Sequence, residues 1–348
     1  MQVVKRRIFL SPALALLVSF CCVAHFYVRF FIQQIIKDKL QQKKSVISSK
    51  IKRLNMRHLF LVACTIGLTI VSERSFAQNF DSVEIKTHKI TESIYMLEGD
   101  GGNIGLIVGK DGSVIIDDQF APLSEKIKNA IKKITDQSVR FVINTHFHGD
   151  HVGGNENFGK DGAIIVTQSN SRLRMTTDQF NAVFKSTQKA APYDALPKVT
   201  FGDSVTLHLN GETLQVMHVK NAHTDGDAII CFKESNVIHT GDVFVRYGLP
   251  FIDQPAGGSI DGMIAGVDVI LNIANDNTKI IPGHGAIATK KDVQDYKNML
   301  VTVRNRIADG MKQGKTLDAI IAMDPTKEYT AGFDRSAFIM LVYDSLNK

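Results

Sequence analysis

A dense cluster of metal-ligand side chains constrains this chain more than any other feature. Residues 145–151 read Thr-His-Phe-His-Gly-Asp-His, which places three imidazoles and a carboxylate within six positions. The cluster follows residues 141–143, an apolar run that predicts a buried strand. Neutral His nitrogens and Asp oxygens bind zinc at about 2.0–2.2 Å. We therefore interpret this stretch as a metal-binding motif; the alternatives are a His-rich surface loop and histidines that serve as packing residues.

The spacing within the motif separates its ligands into two groups. On extended backbone, residues two apart face the same side, so His146 and His148 can converge on one ion. Asp150 and His151 lie further along, on a predicted turn, where they could reach a second ion.

Three more ligand-type side chains stand where predicted strands end. They are His223, in Asn-Ala-His-Thr-Asp, Asp242, in Thr-Gly-Asp-Val-Phe, and His284, in Pro-Gly-His-Gly. Strand ends beside glycine turns can present side chains to one cleft. Together with the first motif they give seven ligand-type residues, which exceeds the need of one zinc ion and suits two ions that share a bridging acid.

The rest of the chain predicts strands and helices that alternate in two blocks. Residues 104–108 and 113–116 are β-branched runs around a hairpin signal, and residues 123–134 have helical spacing. No Pro-, Gly- or Ser-rich linker divides residues 78–348, so we expect a single domain there. Within it, residues 168–200 are polar with a helical rhythm. This segment is predicted as an inserted helix and loop, either a lid or pocket wall or a surface helix.

Taken in order, the four motifs resemble those of the metallo-β-lactamase-fold superfamily of hydrolases. The resemblance covers about residues 83–300, which include Thr-His-Phe-His-Gly-Asp-His, Asn-Ala-His-Thr-Asp-Gly-Asp, Thr-Gly-Asp-Val-Phe and Pro-Gly-His-Gly. It implies an α/β fold, a four-layer αββα sandwich with the metal site at one edge of its two sheets. It also implies two Zn²⁺ ions per chain as cofactors.

The resemblance further implies a role for each site residue. The first ion would be held by His146, His148 and His223, and the second by Asp150, His151 and His284, with Asp242 as the bridging acid. Asp117 would support the site from behind, and Asp118 is the alternative in register.

This ligand set predicts metal-assisted hydrolysis. Two zinc ions about 3.5–4 Å apart lower the pKa of a shared water towards ~7. The resulting metal-bound hydroxide would attack a carbonyl carbon, while Asp150 orients it and moves a proton to the leaving group. We expect a β-lactamase-like hydrolase that cleaves an amide, lactone or ester bond of a small-molecule substrate. The alternatives are a lactonase or thioesterase of the same superfamily, or a metal-binding protein without catalysis.

The neighbourhood of Asp242 bears on the substrate. Some β-lactamases place a cysteine ligand at this position, and an aspartate resembles the bridging acid of lactonases and thioesterases. Arg246 and Tyr247 follow closely and are predicted to anchor a substrate carboxylate, with a solvent-facing pair as the alternative.

The formal net charge of +6 comes from the beginning of the chain. Residues 1–55 carry eleven Lys/Arg against one acid, Asp38, whereas residues 78–348 carry 28 Lys/Arg against 33 Asp/Glu, a net charge of −5. A nucleic-acid-binding domain needs a basic face of its own, so we expect no nucleic-acid partner.

Residues 56–77 have the layout of a secretory signal peptide. A short charged start leads into a 13-residue apolar run, and Ser-Phe-Ala precedes Gln78. We predict that translation begins at Met56, that the basic, apolar residues 1–55 are an untranslated upstream extension, and that the protein is periplasmic or secreted. The alternative is that residues 8–28 anchor the protein in a membrane, the one membrane contact expected. The sequence leaves the oligomeric state open.

Overall fold

A computed structural model of the chain describes residues 39, 79–330 and 332–347. Apart from Lys39, the predicted extension 1–55, the signal peptide 56–77 and the alternative anchor 8–28 lie outside the described residues. Gln78–Lys348 form one compact unit. In the described part of the chain, no helix combines the length and the apolar character that a membrane crossing requires.

The described residues contain fourteen strands and eight α-helices. The strands are β1 (Lys86–Lys89), β2 (Ile94–Glu98), β3 (Ile104–Ile107), β4 (Ser113–Ile116), β5 (Val139–Ile143), β6 (Ile164–Gln168), β7 (Gln179–Asn181), β8 (Ser186–Gln188), β9 (Val199–Phe201), β10 (Ser204–Leu209), β11 (Glu212–Val219), β12 (Asp227–Phe232), β13 (Val237–His239) and β14 (Lys279–Ile281). The helices are α1 (Ser124–Lys132), α2 (Gly149–Val152), α3 (Asn155–Lys160), α4 (Ser169–Met175), α5 (Ile260–Ile273), α6 (Lys290–Lys312), α7 (Leu317–Ala322) and α8 (Arg335–Leu346).

The strands form two sheets and one separate hairpin. The first sheet has the order β1-β2-β3-β4-β5-β6-β9, the second has the order β10-β11-β12-β13-β14, and β7 pairs with β8. Strands β4, β5, β6 and β9 run parallel to one another, and β13 runs parallel to β14. The other neighbouring strands are antiparallel.

Three apolar layers hold the sheets and helices together. Every residue of β12 is buried, and its side chains alternate between two of these layers. Ala228, Ile230 and Phe232 pack against the first sheet, while Ile229 and Cys231 pack under α5, α6 and α8. The third layer lies between the first sheet and α1. Strands buried on both faces read as continuous apolar runs, and the predicted four-layer αββα sandwich is confirmed.

Residues 168–200 contain the largest departure from the sequence prediction. The spacing of Phe180, Val183 and Phe184 indicates a helix there, and that prediction is wrong because these residues belong to the β7–β8 hairpin. The Asn181 side-chain oxygen accepts the backbone N–H of Val183 at 3.0 Å and of Phe184 at 3.1 Å. Lys185 then takes a φ of 50°, which turns the chain back. Hydrogen bonds from the backbone to the Asn181 side chain therefore stabilise a turn where the apolar spacing predicts a helix.

Candidate metal centre

Both sheets contribute ligand-type side chains to one end of the sandwich. The first sheet supplies four from the loop and short helix that follow β5, and the second supplies three from the segments that follow β11, β13 and β14. In each of three overlapping groups, the candidate ligand atoms lie within 4.8 Å of one another: His146, His148 and His223; His146, His151 and Asp242; and Asp150, His151 and His284. The structure thus brings all seven predicted ligands together.

The histidines of the first group point one nitrogen each at a common centre. His148 Nδ1 lies 3.1 Å from His146 Nε2 and 2.9 Å from His223 Nε2. Nitrogen ligands at ~2.0–2.1 Å from a tetrahedral zinc ion are separated by roughly 3.3 Å. The three rings are therefore close to the spacing that one zinc ion requires.

The opposite nitrogens of these rings face acceptors, which fixes the position of their protons. His148 Nε2 donates to Asp253 Oδ2 at 2.8 Å, and His223 Nδ1 donates to the Phe251 carbonyl at 2.9 Å. A neutral imidazole carries a single ring proton, so the inner nitrogens present lone pairs. Lone pairs that face one another at this distance repel unless a cation lies between them. The residues therefore fit a metal ion.

Asp117 supports the cluster from behind. Its Oδ2 lies 2.8 Å from His151 Nδ1 and accepts the Thr145 hydroxyl at 2.7 Å, and its Oδ1 accepts the Thr145 N–H at 2.7 Å. That hydroxyl can in turn accept from His146 Nδ1, 3.0 Å away. Asp118 faces elsewhere and accepts a backbone N–H at 2.8 Å. The geometry thus favours Asp117 over its alternative in register.

Asp242 lies on a 3₁₀ turn after β13 and faces both halves of the cluster. The first half is the group of His146, His148 and His223, and the second half is the group of Asp150, His151 and His284. Asp242 Oδ2 lies 3.7 Å from His223 Nε2, and Asp242 Oδ1 lies 3.3 Å from His151 Nε2 and 3.5 Å from His284 Nε2. Asp242 Oδ1 is buried without a hydrogen-bond partner. A buried carboxylate oxygen is strongly destabilising unless it is paired or coordinates a metal. This position therefore suits an acid that bridges two ions.

Glycine is required where the chain passes this carboxylate. A Cβ on Gly283 would lie 2.0 Å from Asp242 Oδ1, so any larger residue would displace the bridging group. Asn103, which the sequence analysis missed, fixes the same loop. Its side-chain and backbone N–H groups donate to three carbonyls in residues 282–285 at 2.7–2.9 Å, which positions His284.

Burial and charge distinguish the two halves of the cluster electrostatically. Burial lowers the pKa of His146, and it lowers the pKa of His223 to about 4, which keeps both rings in the neutral form that binds metals. Burial also disfavours the charged form of His284, but the carboxylates of Asp242 and Asp150 outweigh it and raise its pKa to about 9. The second half of the cluster therefore attracts positive charge.

A cavity of about 660 Å³ opens over the cluster. This volume is within the range of small-molecule sites, ~300–1,000 Å³. Its lining includes the charged or imidazole side chains of His148, Asp150, His223, Asp242, Asp253 and His284, the aromatic rings of Phe120, Phe147, Phe180, Phe184, Tyr247 and Phe251, and the uncharged polar residues Gln179, Asn181, Ser186 and Gln188 of the hairpin. Gln188 on β8 donates to the Phe147 carbonyl at 2.8 Å, which ties the hairpin to the metal motif. The hairpin is thus a pocket wall rather than a surface helix.

The structure separates the predicted substrate-binding pair. Tyr247 lines the cavity with its ring 5.7 Å from that of His284, and burial raises the pKa of its phenol, so it stays an uncharged donor. The prediction for Arg246 is corrected. Its guanidinium donates to two backbone carbonyls and to Asp292 Oδ1 at 3.1 Å, outside the cavity, because α6 begins beside it and offers that carboxylate.

Asp253 is the main functional residue that the sequence analysis missed. Its carboxylate accepts a hydrogen bond from the candidate ligand His148, yet it lies 105 positions further along the chain. The sequence shows an acid before a Pro/Gly-containing turn, a pattern that is common in surface loops. His239, at the end of β13, is buried, and its Nε2 donates to the Asn103 carbonyl at 3.0 Å.

Comparison with known proteins gives a family match and fold-level similarities. The sequence model described as metallo-beta-lactamase superfamily matches residues 97–284. The lactamase-like protein aptB of Emericella nidulans is 24% identical over 208 residues, 57% of this chain, and the match spans 58% of that protein's length.

Two solved structures share the fold at 18% identity. A metallo-beta-lactamase from Pontibacter korlensis has a TM-score of 0.52 over 62% of this chain and 99% of its own. The stereoselective inverting sec-alkylsulfatase Pisa1 from Pseudomonas sp. has a TM-score of 0.58 over 75% of this chain and 50% of its own.

Proposed function

Because this chain belongs to the metallo-beta-lactamase superfamily, we propose that it is a hydrolase that uses two zinc ions to cleave an amide, lactone or ester bond. The observation that carries the proposal is the convergence of the seven ligand-type residues on one cavity. The inward nitrogens of the first group have no protons to share, and Asp242 Oδ1 is buried without a partner. Both features are accounted for by divalent cations.

The residues divide into two ligand sets. His146, His148 and His223 would hold one ion, and Asp150, His151 and His284 would hold the other, with Asp242 reaching both. A pair of zinc ions supplies a Lewis acid for a carbonyl oxygen and a water whose pKa falls towards ~7. Outer hydrogen bonds from Asp117 and Asp253 keep the ligand rings oriented and in one tautomer.

Asp150 is the proposed proton-transfer group. It lines the cavity, and its Oδ2 lies 3.3 Å from His284 Nε2 and 3.6 Å from His151 Nε2. Those imidazoles favour its charged form and hold its pKa below the usual range, although burial opposes them. A carboxylate at this position can accept a proton from the attacking water and deliver it to the leaving group.

Metal analysis combined with substrate hydrolysis tests the proposal. We expect two zinc ions per chain and turnover of at least one compound in a panel of a β-lactam, an acyl-homoserine lactone, a thioester and a simple ester. Zinc binding without turnover of any of them would instead favour a non-catalytic metal-binding protein, and absence of zinc binding would overturn the metal site itself.

The variant Asp150→Asn tests the role of that carboxylate. We expect it to keep most of its zinc and to lose activity by roughly 10²–10⁴-fold, the range for a general acid–base group. Asp203→Asn is a matched control because its side chain is 89% exposed and lies outside the cavity. Turnover of Asp150→Asn at the rate of this control would refute the proposed role.

The proposal extends to export of the protein. It is supported by the signal-peptide layout of residues 56–77. Mass spectrometry of the protein from its native source should find a first residue near Gln78. An intact Met1 would contradict export with cleavage and support anchoring through residues 8–28.

A further inference from the structure

Apart from the imidazoles, the charged side chains that line the cavity over the metal cluster are all acidic. Asp150, Asp242 and Asp253 line it, and no lysine or arginine of the described residues does so. Two arginines on neighbouring segments, Arg174 and Arg246, are held in ion pairs with aspartates at 2.6 and 3.1 Å. An anionic group on a substrate would therefore find no cationic side chain away from the metal cluster.

Aromatic rings connect the hairpin to the metal ligands. The Phe184 ring lies 5.0 Å from that of Phe251, which in turn lies 6.1 Å from the His148 ring and 5.8 Å from the His223 ring. Phe180 and Phe184 are 64% and 57% exposed although both line the cavity. Large apolar side chains left open beside a cavity gain free energy when an apolar group covers them.

We propose, building on the proposed hydrolase function, that this cavity selects uncharged substrates with an apolar alkyl or aryl group beside the scissile bond. Phe180 and Phe184 on the hairpin would pack against that group. A carboxylate or sulfate on the same group would lose its hydration against these rings without gaining a cationic partner. The selection acts on the alkyl or aryl group attached to the reacting carbonyl and not on the carbonyl itself.

Three activated esters that share the same leaving group can measure this substrate preference. They are the p-nitrophenyl esters of acetate and hexanoate and the mono-p-nitrophenyl ester of adipate, which has a hexanoyl-length chain that ends in a carboxylate. For the zinc-loaded protein we expect kcat/KM for hexanoate to exceed that for each of the other two by roughly tenfold or more. Equal values for hexanoate and adipate would overturn the inference.

Variants of the hairpin test whether its phenylalanines bind the apolar group of the substrate. The double variant Phe180→Ala, Phe184→Ala should bring the hexanoate-to-acetate and hexanoate-to-adipate ratios of kcat/KM close to one. Tyr193→Ala is the matched control, because Tyr193 is an aromatic residue of the same inserted segment that is 76% exposed and does not line the cavity. Its ratios should equal those of the wild type. Unchanged ratios in the double variant would show that the hairpin does not bind the apolar group.

Binding of inhibitors separates this inference from the hydrolase proposal. Hexanohydroxamate and its ω-carboxylated analogue share a metal-binding group and differ at the distal end. Calorimetry on the zinc-loaded protein should show roughly tenfold tighter binding of the uncharged compound, and this preference should disappear in the double variant. If that preference is found while neither these esters nor any compound of the hydrolysis panel is cleaved, the hydrolase proposal fails and the cavity preference stands. Ester cleavage with equal binding of both compounds would overturn the preference alone.

Discussion

Removal of the Asp253 carboxylate should weaken zinc binding, although Asp253 is not itself a proposed ligand. The carboxylate acts through the proposed ligand His148. Asp253 Oδ2 accepts from His148 Nε2 at 2.8 Å, and the two side chains are only 8% and 16% exposed, so water cannot fully replace the bond. A hydrogen bond to a charged group contributes about 1.5–3 kcal/mol. This corresponds to roughly 10–100-fold in affinity, which is the range found when such outer partners of zinc ligands are removed.

Two substitutions separate the charge from the hydrogen bond. Asp253→Ala removes both and should show the full loss of zinc affinity. Asp253→Asn keeps an acceptor oxygen for His148 Nε2, so its loss should be about half as large in free energy. Competition with a chromophoric chelator at constant pH measures both affinities. Zinc binding by Asp253→Ala at wild-type strength would refute the positioning role.

A nearby aspartate provides the control for general damage to the fold. Asp225 pairs with Arg174 at 2.6 Å and is partly shielded from water, with 26% of its side chain exposed. Asp225→Ala should lower the melting temperature and leave zinc affinity unchanged, because Asp225 contacts none of the proposed ligands through its side chain. If both variants lost zinc equally, the effect would come from the fold and not from His148.

Two further predictions concern the metal site as a whole. Asp117→Asn should lower the zinc content from two ions towards one, because His151 loses its charged partner at 2.8 Å, whereas Asp118→Asn should keep two ions. Atomic absorption measures the zinc content of both variants, and equal content would contradict the supporting role of Asp117. Chelation should lower the melting temperature by roughly 5–10 °C for zinc at about 100 times its dissociation constant, with recovery when zinc is added back; a melting temperature insensitive to metal would contradict a site built into the folded state.

The candidate metal site could be predicted from the sequence because its proposed ligands are adjacent to secondary-structure signals. His146 and His148 follow a recognisable strand, and His223, Asp242 and His284 each stand beside a turn at a strand end. The buried strands were also predictable, since they are continuous apolar runs. Local patterns of this kind carry their information within a few residues.

Other features depended on contacts between distant segments. Asp253 acts on a histidine 105 positions earlier, and no local pattern marks that pair. Arg246 lies near the bridging acid in sequence, but Asp292 at the start of α6 draws its guanidinium away from the cavity. Strand β1 is mostly exposed Lys-Thr-His-Lys, which lacks the alternation that identifies a strand. In the hairpin, the hydrogen bonds of the Asn181 side chain form a turn at a position where the apolar spacing predicts a helix.

The division of ligands between the two sheets has a consequence for biogenesis. Each of the three ligand groups needs at least one residue from the second sheet, so a chain that has folded only its first sheet holds none of them complete. During synthesis, the first group becomes available once His223 has emerged, and the last only with His284. Zinc acquisition would therefore follow docking of the sheets, and a molecule that holds both ions would have completed that docking.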